Sequence, residues 1–290
     1  RVDAGPAIGL GHLQRCLSLA TALRHLGSSC VFLSNEESAT RDRVRRFGFD
    51  GHLLGATESW EEDDLVRAVA LGTQHACDVI VVDSYSAGSD YLRRLRTAGF
   101  LVCAIDDIAP CSYPCQIVVN GDAHAHQLSY NSSSGDTCFL LGSKYLILRR
   151  EFWRPSQYVL RATCQNILVI LGGADQYNLM PRILAVLDEL PQEFTITAVI
   201  GPFVDNLSEV EEAVTCAQHP IRLVRSPGAV SELMLGADLA VSAGGQTLYE
   251  LARVGCPAVA VKVASNQDGQ LQAFVETGCI RFVGHAGESN

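Results

Sequence analysis

The residues best suited to chemistry stand near the start of the chain, where Gly9-Leu10-Gly11-His12-Leu13-Gln14-Arg15 leaves a glycine-punctuated loop and enters a helical pattern. Apolar residues at Leu13, Leu17, Ala20 and Leu23, or at Cys16, Leu19, Leu23 and Leu26, recur at helical spacing. A helix therefore begins near Gly11, and His12 falls in its first turn. The first amides of a helix have no partner within it and the dipole is positive there, which favours an anion and disfavours a cation. An imidazole so placed is biased toward its neutral form, the form a general base requires. Gly9 and Gly11 let a ligand approach the backbone, and Arg15 lies one turn along the same face. A base, a cation and free amides converge. The plainer reading of His12 is a capping or exposed histidine.

A second constellation, Ser242-Ala243-Gly244-Gly245-Gln246-Thr247, follows an apolar strand over 237–242 and opens a helix that runs to Val254. Small residues at a strand-to-helix turn let backbone amides close on a phosphate, while Thr247 adds a hydroxyl and the helix end its dipole. Glu250, one turn in, can accept hydrogen bonds from a sugar diol. A tight structural turn is the competing reading. The next strand, 257–263, ends in Ala264-Ser265-Asn266-Gln267, two amides suited to an amide-bearing or hydroxylated ligand. Asp83, Tyr85, Asp106 and Asp107 also fall at strand ends, where capping of the following turn competes with ligand contact. The first loop is no dinucleotide fingerprint, because the third glycine position after Gly9-x-Gly11 is Gln14, and Glu36 is a weak candidate for a ribose acid. Neither Cys111 with Cys115 nor His124 with His126 has further ligands at metal-site spacing, so no metal and no cofactor are expected.

The elements that must position these residues alternate. Strands are expected over 29–34, 78–83, 100–105 and 116–119, with helices over 39–49, 60–76 and 90–98 between them. The arginines of the 39–49 helix read as a solvated face, and Glu61 to Asp64 suit the opening of the next helix. A polar loop over 120–137 and a linker over 153–165, around Pro155, precede a second alternation. Strands there are expected over 166–171, 194–200, 221–224, 237–242, 257–263 and 279–283, with helices over 178–190 and 205–216 and a last one ending at Thr277. Such alternation implies parallel sheets with right-handed crossovers and ligands at the carboxyl ends of the strands. The expected domains are 1–155, carrying His12, and 156–290. Because Arg1 leads straight into a phosphate-type turn, a first strand of about five residues is expected ahead of it.

With 290 residues and 48% hydrophobic content, the chain has material for two cores. A formal net charge of −10 argues against nucleic acid and anionic membranes as partners. Eleven cysteines, scattered among apolar positions such as Cys16, Cys30, Cys103, Cys256 and Cys279, read as small buried hydrophobes of a reducing compartment. No apolar run nears the roughly 18 residues that span a bilayer, and no signal peptide is seen, so a cytoplasmic protein is expected.

Taken in order, RVDAGPAIGLGHLQRCLSLA, DSY, IDD, LLGSKYLILRREF, LGGAD followed by NL, SAGGQTLYEL and SNQ resemble the UDP-2,4-diacetamido-2,4,6-trideoxy-β-L-altropyranose hydrolases of pseudaminic acid biosynthesis over nearly the whole chain. That family is similar, in its C-terminal half, to the nucleotide-binding half of the N-acetylglucosaminyltransferase that completes lipid II. The resemblance implies a GT-B-like α/β fold, two Rossmann-like domains with parallel sheets facing a central cleft, and a metal-independent enzyme of flagellin glycosylation. It makes His12 the residue that activates water. Gly172, Gly173, Ser242, Gly244, Gly245, Gln246, Thr247 and Glu250 would hold UDP, and Asn266, Gln267 and Tyr85 would lie near the sugar. The chain stops at Asn290 without the further C-terminal segment usual in that family. A small-molecule UDP-sugar is the expected partner and a monomer the expected state. A GT-B glycosyltransferase with a UDP-amino sugar donor and a non-catalytic nucleotide-sugar-binding protein remain as alternatives.

Overall fold

The computed structural model describes residues 1–4, 11–35, 38–54, 60–154, 157–225 and 227–287; Gly9, Glu36 and Pro155 lie outside them. The first helix, α1 (Gly11–His25), buries Leu13, Cys16, Leu17 and Ala20 as one stripe. Leu13 and Leu17 are fully enclosed against Val2, Ala4, Phe32 and Ile105. Burial on that scale contributes on the order of 1.5–3 kcal/mol for each leucine, more than helix propensity adds at any one position. The stripe therefore fixes where His12 stands.

The chain divides into two units, Arg1–Arg150 and Glu151–Asn290. In the first, α1 is followed by β1 (Val31–Ser34), α2 (Ser38–Arg46), β2 (Asp50–Leu53), α3 (Trp60–Gln74), β3 (Val79–Val82), α4 (Ser89–Thr97), β4 (Leu101–Ile105), β5 (Ile117–Asn120) and β6 (Cys138–Leu141). β1 pairs with β2, and β3 to β6 pair in order, all in parallel. Val2 makes parallel bridges to Ser34 and to Asp83, so residues 1–3 run between β1 and β3. The second core of this unit gathers Leu65 and Ala68 of α3 and Leu92 and Leu95 of α4 against Val82, Val102 and Val118 of the sheet.

The second unit carries β7 (Asn166–Ile170), α5 (Leu179–Asp188), β8 (Thr195–Ile200), α6 (Leu207–Cys216), β9 (Ile221–Arg225), α7 (Val230–Gly236), β10 (Leu239–Ala243), α8 (Thr247–Val254), β11 (Ala258–Lys262), α9 (Asp268–Glu276) and β12 (Ile280–His285). Its six parallel strands lie in the order β9-β8-β7-β10-β11-β12. Counted within the unit, that is 3-2-1-4-5-6, the doubly wound order that leaves a crevice at the carboxyl ends of the first and fourth strands. β7 and β10 are buried on both faces, and Ile167, Val169 and Val241 fall in one core with α5 and α6.

Three elements differ from expectation. β2 begins Asp-Gly, residues that favour turns, and is a strand because Asp50 to Leu53 pair in register with Val31 to Ser34. β6 pairs with β5 at the margin of its sheet, and α7 is a short helix after Pro227-Gly228. In β11 to β12 the register shifts between Ala260 and Lys262.

Gly201 closes β8 against the turn after β7: a Cβ there would stand 2.5 Å from the Gly173 oxygen and closer still to that of Gly172. Backbone cannot yield as a side chain can, so Gly201→Ala is expected to cost about 2–3 kcal/mol in urea unfolding. Gly236→Ala, which meets nothing within 4 Å, is expected to be neutral or slightly stabilising. Equal midpoints for the two variants would contradict this packing.

Candidate active site

In the first unit the strand order reverses between residues 1–3 and β3, the place where a doubly wound sheet opens a crevice. α1 begins shortly after the former, and Asp83 and Tyr85 follow the latter. His12 is buried, and its Nδ1 stands 2.5 Å from Asp83 Oδ1. A carboxylate only accepts, so the proton of that bond sits on Nδ1, and in the neutral ring the lone pair falls to Nε2. The Asp–His pair of hydrolytic triads uses the same logic to orient an imidazole.

Asp83 is fully enclosed, and Arg15 answers its charge. Arg15 donates from Nε to Oδ2 at 2.6 Å and from Nη2 to Oδ1 at 2.6 Å. The Nη2 also lies 2.9 Å from His12 Nδ1, because both groups meet on the same oxygen. Burial works to raise the Asp83 pKa, but the Arg15 guanidinium and the hydrogen bonds from Arg15 and His12 outweigh it and hold the carboxyl well below its usual range. Burial likewise works against the Arg15 charge, while Asp83 and Asp107 raise its pKa well above the ordinary value.

Arg15 continues to Asp107, donating from Nη1 to Oδ1 at 2.5 Å, and the Tyr85 hydroxyl donates to Asp107 Oδ2 at 2.9 Å. The Tyr85 ring then returns to His12, edge to face with centroids 4.7 Å apart. Four residues thus hold His12 directly or through one another, and Tyr85, 41% exposed, brings them to the surface. Sequence reasoning placed Asp83 and Asp107 at strand ends without linking them to His12. Asp106 turns away: it accepts the Tyr130 hydroxyl at 2.5 Å and the Ile108 and Ala109 amides, which is the capping role. The arginine face of α2 is partly engaged, since Arg43 donates to Gln14 Oε1 at 2.7 Å. Among the described residues no group of three or more His, Cys, Asp or Glu side chains is placed to hold a metal ion, and no helix is long and apolar enough to cross a membrane.

In the second unit the turn after β7 and the turn after β10 flank the reversal of strand order. Gly172 is exposed with φ +95°, and the Gly173 oxygen accepts the Phe203 amide at 2.9 Å. Asp175 caps α5 through the Leu179 and Met180 amides, both at 2.8 Å, so that helix end is already answered. At α8, by contrast, Gln246 provides no side-chain cap, and Gly245, Gln246 and Thr247 are half-buried. Ser242 is fully enclosed with its Oγ on the Ala243 oxygen, and Glu250 is buried in the first turn of α8.

The two glycines of this turn do different work. A Cβ on Gly244 would meet Leu271 Cδ1 and Gln267 Oε1, each at 2.9 Å, so glycine there lets α9 pack. A Cβ on Gly245 would meet only Gln267 Nε2, at 3.9 Å. Gln270, which no sequence pattern singles out, donates to the Gly244 and Gly245 oxygens at 2.8 Å each and holds the turn. Gln267 accepts the Val263 amide at 2.9 Å, and Asn266 is exposed beside it.

Replacing Asp83 by Asn leaves the Arg15 guanidinium with Asp107 alone, and breaking a buried pair in this way costs about 3–5 kcal/mol at neutral pH. Because the Asp83 pKa is depressed in the folded state, its contribution is full above the unfolded value of about 4 and fades as pH falls through the folded value below it. Denaturation at pH 7 and pH 3 is therefore expected to show a smaller acid loss in Asp83→Asn than in the unsubstituted chain. Parallel losses would contradict the pairing.

No family model matches the chain. It is 25% identical over 268 residues to an uncharacterized protein of Methanocaldococcus jannaschii, covering 89% of this chain and 54% of that one, so it spans about half the length of that relative. It is 24% identical to the spore coat polysaccharide biosynthesis protein SpsG of Bacillus subtilis, over 97% of this chain and 82% of that one. To the UDP-2,4-diacetamido-2,4,6-trideoxy-β-L-altropyranose hydrolase of Campylobacter jejuni it is 22% identical, over 92% of both. Among solved structures it resembles MurG of Acinetobacter baumannii, with TM-score 0.69 and 14% identity over 97% of this chain and 84% of that one. It also resembles the calicheamicin glycosyltransferase CalG4, with TM-score 0.59 and 12% identity over 97% and 84%. The fold is that of the GT-B glycosyltransferases, α/β with two Rossmann-like parallel sheets, in a chain similar along most of its length to a UDP-sugar hydrolase.

Proposed function

We propose that the chain is a hydrolase that cleaves the anomeric C–O bond of a UDP-2,4-diacetamido-2,4,6-trideoxy sugar, releasing UDP and the free sugar for pseudaminic acid synthesis. The observation that carries this reading is the Nδ1 of His12 seated on the enclosed Asp83, which leaves Nε2 to accept a proton. The similarity to the Campylobacter jejuni hydrolase supports the choice of substrate.

In this mechanism Nε2 takes a proton from water, the water oxygen bonds to the anomeric carbon, and the carbon–oxygen bond to the diphosphate breaks with its electrons leaving on UDP. UDP leaves as an anion without protonation, so the paired carboxylates of ordinary glycosidases are not required, and one displacement inverts the anomeric centre. The second unit holds the nucleotide: Gly172, Gly173, Gly245, Gln246 and Thr247 offer backbone and hydroxyl groups, with Ser242, Gly244 and Glu250 beneath them. The open end of α8 stabilises the charge that develops on the leaving diphosphate. Asn266, Gln267 and Tyr85 contact the sugar. Gly11 keeps the backbone beside His12 open, and Arg15 serves His12 by fixing Asp83. No step calls on a metal ion.

General-base help is worth about 10² to 10⁴-fold, so His12→Asn is expected to lower turnover of the UDP-diacetamido sugar by that factor while UDP affinity stays within about twofold. The assay is release of free sugar and UDP with no alcohol acceptor, in EDTA. Full turnover in the variant would remove His12 from the mechanism, turnover only with an acceptor would make the chain a transferase, and binding without turnover would make it a nucleotide-sugar-binding protein.

A further inference from the structure

Lys262, the last residue of β11, is a buried lysine that the reading above does not use. Its side chain is 9% exposed, and its Nζ meets Asp268 Oδ1 at 2.5 Å. Asp268 is the first residue of α9 and is itself 68% exposed. A buried ammonium whose counter-ion stands in solvent is only partly compensated, because water screens the carboxylate more than it hydrates the amine.

The register of the sheet locates this charge. β10 and β11 pair Ser242 with Ala260 and Ala243 with Val261, and the Gly244 amide donates to the Val261 oxygen at 3.0 Å. Lys262 is the next residue along, beside the opening of the glycine turn. Val261 and Val263 pack into the core shared with α5 and α6, so strand alternation sends Lys262 to the opposite face, with Ala258 and Ala260. α9 covers the turn from that side, through Gln270 on the Gly244 and Gly245 oxygens and Gln267 over Gly244. The first amides of α8, those of α9 and the Lys262 ammonium therefore gather around one turn, with Glu250 buried in the first turn of α8. Asp268 is the carboxylate placed on that ammonium.

A diphosphate, which accepts from backbone amides and an ammonium together, matches this set of donors better than a neutral sugar. We propose that Lys262 is a further binding residue for the diphosphate of the nucleotide, and that Asp268 competes with the phosphate oxygens for its ammonium. This inference rests on the reading of the glycine turn as the UDP site. It adds a cation to a site otherwise built from amides and hydroxyls, and it makes the exposed Asp268 an attenuator of affinity.

The test is calorimetric titration of UDP and of inorganic pyrophosphate into the unsubstituted chain, Lys262→Met and Asp268→Asn. Lys262→Met keeps the apolar stem, whereas Asp268→Asn leaves the buried Lys262 ammonium without its carboxylate, so thermal unfolding of both variants is read beside the titration to show that each is folded. Loss of a charge-assisted hydrogen bond predicts at least tenfold weaker binding of both probes by Lys262→Met, and removal of the competing carboxylate predicts about threefold tighter binding by Asp268→Asn. Pyrophosphate binding that depends on Lys262 without any binding of UDP would support the anion site and sink the nucleotide reading instead. Unchanged affinities in both variants, weaker binding by Asp268→Asn, or no binding of either probe by the unsubstituted chain would overturn the proposal.

Discussion

A single carboxylate, that of Asp83, sets the terms for the first unit. It follows β3 directly, is fully enclosed, and receives Arg15 on both oxygens and His12 on one. An isolated carboxylate in that position would cost several kcal/mol of lost hydration, so it persists only because a planar guanidinium meets it at two points. That compensation fixes the distance between α1 and the end of β3. His12 then has one place to donate Nδ1–H, and the direction of Nε2 follows from it. The stability of the unit and the orientation of the imidazole are thus one interaction.

Both units put the turns of their candidate sites where strand order reverses. In the first, residues 1–3 lie between β1 and β3 and the His12 helix starts nearby; in the second, the turns after β7 and β10 meet at the centre of a 3-2-1-4-5-6 sheet. The strategies then diverge. The first unit concentrates opposite charges in an enclosed network of Asp83, Arg15, Asp107 and Tyr85, which orients but leaves few donors over. The second relies on backbone: Gly244 and Gly201 permit close packing, Gln270 holds the carbonyls of the turn inward, and Gly245 to Thr247 remain within reach of solvent. A charge-paired, enclosed imidazole and a glycine turn within reach of solvent are different physical arrangements, and the residues differ accordingly.

Much of this was legible in the sequence because it is local. The stripe of Leu13 and Leu17, the apolar runs of β3, β7 and β10, and the small residues of the SAGGQT turn carry their periods and turn chemistry on their face. His12 at a helix start was legible for the same reason. Its partner was not: Asp83 lies 71 residues away, and a strand-end aspartate reads equally as a cap, which is what Asp106 proves to be. Gln270 and Lys262 were hidden because a glutamine inside a helix and a lysine ending a strand have ordinary surface explanations, and only burial sets them apart. The strand β2 was lost to its Asp-Gly opening, since its pairing with β1 is a tertiary choice that local propensity opposes.

The measurement that bears most directly on the account is the tautomer of His12, read by long-range proton–nitrogen NMR of the ¹⁵N-histidine-labelled chain, with the His12 signals assigned by their loss in His12→Asn. In the neutral form of the ring the account predicts a proton on Nδ1, held by Asp83, and a bare Nε2. A neutral ring protonated on Nε2, with Nδ1 bare, would contradict it, because the nitrogen meant to receive a proton would already carry one.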